Sequence, residues 1–202
     1  MTYYFKYGAK EIEHLKKADP KLGAVIDRIG MIQRTVMPDL FEALVHSIVS
    51  QQISNKARDT VWGRIVDRLG AITPASIDAL SLEEIQQFGI SFRKAGYIQS
   101  AARRVLSGEI DIEALELMSD TEVIASLTRL DGVGPWTAEM LMLFSMQRPN
   151  VLSFGDLAIK RGIQMVYDLP AVNKKTVDEL RERYAPYASV ASLYLWAVAG
   201  GG

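Results

Sequence analysis

Apolar residues recur along this chain at the three-and-four spacing of helices that face a core. Phe41, Leu44, Val45, Ile48 and Val49 share one face of a helix that begins near Pro38-Asp39. Val61, Ile65, Val66 and Leu69 mark the next helix, closed by Gly70. Ser81 with Glu84, and Ser119 with Glu122, have the spacing of a capping box. Ala138 to Met146 is strongly apolar and stops before Pro149. Asp156 to Tyr167 and Lys174 to Tyr184 read as further helices, and Pro186 opens a last one that runs to about Ala199. Alternating strand patterns are nearly absent, and Val151-Leu152-Ser153-Phe154, between two helices, reads as a loop. The pattern predicts an all-α protein of roughly ten or more helices with short connections. It shows no internal repeat, and a flexible tail is expected at Gly200-Gly201-Gly202.

Composition narrows this picture. The 202 residues allow one large domain or two small lobes, and a hydrophobic fraction of 49% supports a real core. No apolar run reaches about 18 residues, so no transmembrane helix is predicted. The start, Met1 to Lys6, lacks the basic-then-apolar layout of a secretory signal. Cysteine is absent, which excludes disulfides, thiolate zinc sites and a cysteine-ligated iron–sulfur cluster. A cytoplasmic monomer is the simplest reading.

Two segments carry chemistry. Gly132-Val133-Gly134 lies between an amphipathic helix, Val123 to Leu130, and a second helix from Trp136 to Met146. Glycines permit positive φ and close approach of another backbone, and Pro135 fits the first turn of the second helix. The N–H groups at that helix start can bind an anion, and a DNA phosphate is the natural ligand. A turn that needs glycine for packing alone is the blander alternative. The second segment is Ser153-Phe154-Gly155-Asp156, a single carboxylate at a helix start. Taken alone, Asp156 reads as a helix cap. Lys160 and Arg161, one turn on, read as phosphate contacts or a solvated face.

Charge adds one point. The net charge of −1 argues against a protein that coats nucleic acid. It is spread unevenly, however. Ser91 to Ser107 holds Arg93, Lys94, Arg103 and Arg104 with no acid, while Gly108 to Thr128 holds six acids with no base. Alone, each stretch reads as a solvated helical face. Beside a phosphate-binding hairpin, the basic stretch gains weight as a DNA-facing surface. His46 reads as a partly buried structural histidine and Trp62 as core. No second histidine or acid cluster at ligand spacing points to a catalytic transition metal.

Leu130-Asp131-Gly132-Val133-Gly134-Pro135-Trp136-Thr137-Ala138 resembles the hairpin of the helix-hairpin-helix DNA glycosylase superfamily. Val151 to Leu157 resembles that family's Gly/Pro-rich loop and aspartate. Ile48-Val49-Ser50-Gln51-Gln52-Ile53-Ser54 resembles its glutamine-bearing helix end, and Tyr194-Leu195-Trp196 also fits. The resemblance runs from about Asp39 to Trp196 and is nearest the 3-methyladenine DNA glycosylase II branch.

The resemblance implies a two-lobed helical fold with a cleft between the lobes. A central lobe of residues 36–147 would hold the wedge helix and hairpin, and residues 1–35 with 148–202 would form the other. It implies a base excision repair enzyme that removes alkylated bases such as 3-methyladenine from double-stranded DNA, leaving an abasic site. Asp156 would be catalytic. Trp136 stands where strand-cutting members carry a lysine that forms a Schiff base, so base removal without lyase activity is expected. Gln51 and Gln52 would face the minor groove, with Gln52 as the wedge that fills the gap left by the flipped base, and Ile53 or Ser54 as alternates. Gly132, Gly134, Thr137 and Lys160 would contact DNA. Trp136 and Trp196 would line the base pocket, with Met140 replacing a family aromatic and Tyr187 a further member. No cofactor is required, although backbone carbonyls of Thr128, Leu130 and Val133 match positions that hold an alkali cation. The N-terminal β-rich domain of some members is expected to be missing, since only about forty residues precede the glutamine helix. Two rival readings remain: a glycosylase of the same fold for uracil or a mismatched base, and a non-catalytic DNA-binding hairpin module. A helical protein-interaction domain is a more distant third.

Overall fold

Thirteen helices and one two-stranded ribbon make up the computed structural model, which describes residues 2–200. The tail expected at Gly200-Gly201-Gly202 lies, past Gly200, outside the described residues. The all-α reading holds, with a small exception at the start. There β1 (Tyr3–Tyr4) pairs antiparallel with β2 (Thr35–Val36), Tyr3 opposite Val36. Two-residue strands leave no alternating pattern for a sequence to show.

Between those strands come α1 (Ala9–Ala18) and α2 (Pro20–Ile29). α1 buries only Leu15 and so carries no apolar stripe. α2 starts on a stronger signal: Asp19 caps it by accepting from the Lys21 and Leu22 N–H groups, and Pro20 takes its first position. α3 (Leu40–Ser50) follows with Asp39 as its cap, then α4 (Asn55–Leu69), closed by Gly70 at φ +66°. α5 (Pro74–Asp78), α6 (Leu82–Gln86), α7 (Phe92–Leu106), α8 (Ile112–Leu115) and α9 (Asp120–Leu127) come next. The capping boxes at Ser81/Glu84 and Ser119/Glu122 both form, opening α6 and α9. The last four helices are α10 (Pro135–Phe144), α11 (Leu157–Tyr167), α12 (Lys174–Tyr184) and α13 (Ala188–Val198). Pro186 does not open α13 as its residue type suggests. It follows a cis peptide bond after Ala185, and the helix begins two residues later with Tyr187 as cap.

The chain divides into two units: Met37–Leu141, and the residues up to Val36 with those from Met142 onward. In the first, α3 is the buried spine, with Phe41, Leu44, Val45, Ile48 and Val49 all in the core. α7 packs beside it through Ala95, Ile98, Ala101 and Ala102, and α4, α5 and α6 complete that core. In the second, α13 is the spine, buried from Ala188 through Trp196. α11 crosses it so closely that a Cβ on Gly162 would lie 2.2 Å from the Leu195 carbonyl oxygen. Only glycine permits that approach. Among the described residues no helix is long and apolar enough to cross a membrane.

Candidate functional site

In the unit Met37–Leu141, the glutamine segment follows directly from the end of α3. Ser50 Oγ donates to the His46 carbonyl at 2.6 Å and closes the last turn. Gln51 leaves the helix extended, and Gln52 is exposed with φ +57°. A non-glycine residue holds that left-handed conformation only at a cost of about 1–2 kcal/mol, so its surroundings must impose it. Ser54 is occupied as the cap of α4, accepting from the Ala57 N–H at 3.3 Å. Ile53 is exposed beside it. Gln51 is engaged within the unit, its Nε2 donating to the Gly132 carbonyl at 2.8 Å. That bond ties the helix end to the hairpin.

The two hairpin glycines differ. Leu130 O accepts from the Val133 N–H at 3.1 Å to close the turn, and Gly132 sits at φ +79°. The Tyr97 ring covers it, so an added Cβ would lie 2.4 Å from Tyr97 Cδ2. Gly134 has no positive φ, and a Cβ there would meet nothing within 4 Å. Its carbonyl accepts from the Ala138 N–H at 3.0 Å as α10 begins at Pro135. Gly132 is therefore a packing and conformational requirement, whereas Gly134 leaves open space over the start of α10. Trp136 follows, 45% exposed, and Thr137 is 5% exposed. With Ser47, Ser50, Gln51, Gln52 and Gly132, these two residues line a recess of about 510 Å³. Met140, one turn along α10, does not line it.

The basic stretch on α7 serves a different purpose from the one its charge suggests. Arg103 pairs with Asp78 at 2.8 Å. Arg104 pairs with Glu109 and donates to the Arg129 carbonyl. Lys94 donates to the carbonyls of Val49 and Gln51. Three of its four cations thus bind groups of this unit, and Arg93 is exposed. Burial, with Arg58 nearby, holds the His46 imidazole below its ordinary pKa, with Asp59 opposing. Its ring meets Trp62 edge-on at 4.7 Å, a structural arrangement.

The carboxylate lies in the other unit. Two serines of α13 fix the segment that leads to it. Ser189 Oγ accepts from the Val151 N–H at 2.9 Å, and Ser192 Oγ donates to the Val151 carbonyl at 2.8 Å. Asp156, 7% exposed, then caps α11. Its Oδ1 accepts from the Ile159 N–H at 2.9 Å and from Trp196 Nε1 at 3.0 Å. Trp196 is itself 7% exposed and stacks on Phe144, centroids 5.2 Å apart. The Arg34 guanidinium lies over both rings, at 5.1 and 5.8 Å. Trp196 thus presents its N–H edge to the carboxylate, while a ring face is covered. Lys160 Nζ lies 4.9 Å from the Phe154 ring centroid.

Tyr187 does not join this group. It stands at the opposite end of α13 from Trp196, nine residues and about 13 Å along the helix axis. Its ring faces His14 edge-on at 5.1 Å and Lys10 at 5.9 Å, both on α1. Its expected place in a base pocket is corrected accordingly. Phe144, Arg34 and Tyr97 were missed by sequence reasoning, because each acts through residues distant in the chain and carries no local signal, and Lys94 was noted only for its charge. Among the described residues no group of three or more His, Cys, Asp or Glu could hold a metal ion.

Comparison with known proteins identifies the family. A family model described as HhH-GPD superfamily base excision DNA repair protein matches residues 45–186. DNA-3-methyladenine glycosylase 1 of Schizosaccharomyces pombe is 34% identical over 161 residues, 77% of this chain and 71% of that protein. The DNA-3-methyladenine glycosylase of Saccharomyces cerevisiae is 29% identical, covering 93% of this chain and 78% of the relative. Among solved structures, a DNA-3-methyladenine glycosidase from Bacillus halodurans superposes with a TM-score of 0.87 at 37% identity, over 98% of this chain and 93% of that one. The Schizosaccharomyces pombe 3-methyladenine DNA glycosylase in complex with abasic DNA superposes with a TM-score of 0.79 at 30% identity, over 93% and 95% of the two chains.

Proposed function

This chain belongs to the HhH-GPD superfamily of base excision DNA repair proteins, and we propose that within it the chain is a monofunctional glycosylase for alkylated bases. The observation that carries the reading is Asp156, a buried carboxylate held on one oxygen by the Ile159 N–H and Trp196 Nε1. Such a group suits a reaction in which positive charge develops at the sugar. The N-glycosidic bond breaks and its electron pair leaves with the base. A water oxygen bonds to C1′, and the proton it loses passes to Asp156 or to solvent. One carboxylate suffices when the leaving base already carries positive charge, as an alkylated purine does.

The other groups have supporting roles. The open backbone at Gly134 and the start of α10 would receive a phosphate. Gln52 would fill the gap left by the extruded nucleotide. Trp136, exposed in the recess, would offer a ring face to a cationic base. It stands where strand-cutting members of the superfamily carry a lysine, so no Schiff base forms and the product is an abasic site. Uncharged backbone oxygens at Thr128, Leu130 and Val133 have the hard character that suits an alkali cation. Leu130 O already accepts one hydrogen bond there. Such an ion would offset phosphate charge and take no part in bond breaking.

The test is base release from methylated duplex DNA by wild type and Asp156→Asn, each read before and after hot alkali. Strand breaks that appear only after alkali, and are lost in the variant, are expected. Breaks without alkali would overturn the monofunctional reading, and full turnover by Asp156→Asn would overturn the role of the carboxylate. Release only from uracil or mismatched substrates would move the chain to another lesion class. No release at all would favour a binding module.

A further inference from the structure

Lys94 gives two of its three N–H donors to backbone carbonyls. Its Nζ donates to the Val49 carbonyl at 2.8 Å and the Gln51 carbonyl at 2.5 Å, at the C-terminal end of α3. These are charge-assisted bonds at the negative end of a helix. Burial, with Arg93 close by, holds the ammonium below its ordinary pKa. The rest of that face of α7 holds the hairpin. Tyr97 lies against Gly132, Ser100 Oγ donates to Asp131 Oδ2 at 3.3 Å, and Arg104 donates to the Arg129 carbonyl. One helix face therefore fixes both DNA-gripping elements of this unit, and Gln51 Nε2 on the Gly132 carbonyl joins them. Gln52, at φ +57°, follows immediately after the carbonyl that Lys94 holds. A strained residue stays put only if its neighbours over-determine it. Gln51 is held twice, at its own carbonyl and through its side-chain amide.

We infer that Lys94 is a positioning residue for base extrusion, holding Gln52 so that its side chain fills the gap left by a flipped nucleotide. The inference rests on the glycosylase reading above. Lys94 touches no DNA in this account and acts through the backbone at Gln51.

The test compares two duplexes. One carries a single 7-methylguanine opposite cytosine. The other carries the same lesion opposite a tetrahydrofuran abasic analogue, where there is no pairing to break and less need of a wedge. In single-turnover excision, Lys94→Met is expected to lose about 10-fold or more on the paired lesion and under about 2-fold on the unpaired one. Lys94→Arg, which keeps a cationic donor, is expected to retain most of the paired rate. Gln52→Ala is expected to show the same selective loss, and the Lys94→Met/Gln52→Ala double variant to be no worse than Gln52→Ala alone. Equal loss on both duplexes would mean that Lys94 only supports the fold and would overturn the inference, as would no loss on the paired lesion. Additive losses in the double variant would also overturn it. Wild-type inactivity on both duplexes would instead overturn the alkylated-base reading, and this inference with it.

Discussion

Replacing Gly132 by alanine should damage the hairpin, whereas the same change two residues on should not. Two terms act at Gly132. Its φ of +79° lies in the left-handed region, where an L side chain costs about 1–2 kcal/mol. The new Cβ would also sit 2.4 Å from Tyr97 Cδ2, and carbon atoms in contact prefer about 3.5–4.0 Å. Something must move by roughly 1 Å, and overpacking of that kind costs about 1–3 kcal/mol. The sum, about 2–5 kcal/mol, corresponds to a drop in Tm on the order of 10 °C for a chain of this size. Gly134→Ala introduces neither term, since its φ is not positive and nothing lies within 4 Å of the added methyl. Thermal unfolding should therefore separate the two variants, and salt-dependent affinity for duplex DNA should fall in Gly134→Ala without loss of stability. Adding Tyr97→Ala to Gly132→Ala should remove the overlap and leave the backbone term, so the two changes should be non-additive. A Gly132→Ala protein that melts within about 1 °C of wild type would refute this reasoning.

Two other substitutions probe the second unit. Trp196→Phe keeps the stack on Phe144 but removes a hydrogen bond to a charged acceptor, a bond worth about 1.5–3 kcal/mol. Single-turnover base release should fall about 10-fold or more with affinity for undamaged duplex unchanged, and a wild-type rate would show that the indole N–H plays no part. Asp19 caps α2 and accepts from Tyr167 Oη and Arg183 Nη1, each at 2.8 Å. Burial pushes its pKa up, but the bonds from Arg183, the Leu22 N–H and Tyr167 outweigh this and hold it below the ordinary carboxylate value. A folded pKa below the unfolded one means that the stabilisation is present above about pH 4 and is lost as pH falls through the folded value. Asp19→Ala should lower stability at pH 7 by about 2–4 kcal/mol and shrink the loss seen below about pH 4. Urea midpoints equal to wild type at both pH values would contradict it.

What the sequence revealed was local. A capping box needs only residues three apart, so Ser81/Glu84 and Ser119/Glu122 could be read directly. Asp156 was visible for the same reason, because its cap bond reaches only to Ile159. The residues that hold the site in place were not visible. Gln51 meets Gly132 across 81 positions, and Trp196 meets Asp156 across 40. The basic stretch on α7 showed its charge but not its partners, so a set of internal braces looked like a DNA-facing surface. Tyr187 and Trp196 are both aromatics of the C-terminal segment, yet helix rise carries them to opposite ends of α13.

The three tryptophans occupy three unlike environments, and this gives the molecule a built-in optical readout. Trp136 is open to a soluble quencher such as iodide, whereas Trp196, beneath Phe144 and Arg34, is shielded. Trp62 touches the His46 ring, so its emission should follow the charge of that imidazole. A ligand that covers the recess should protect Trp136 from iodide, while a change in the hydrogen bond at Asp156 should alter the emission of Trp196. Arrival of DNA and rearrangement around the carboxylate could then be timed separately in one unlabelled sample.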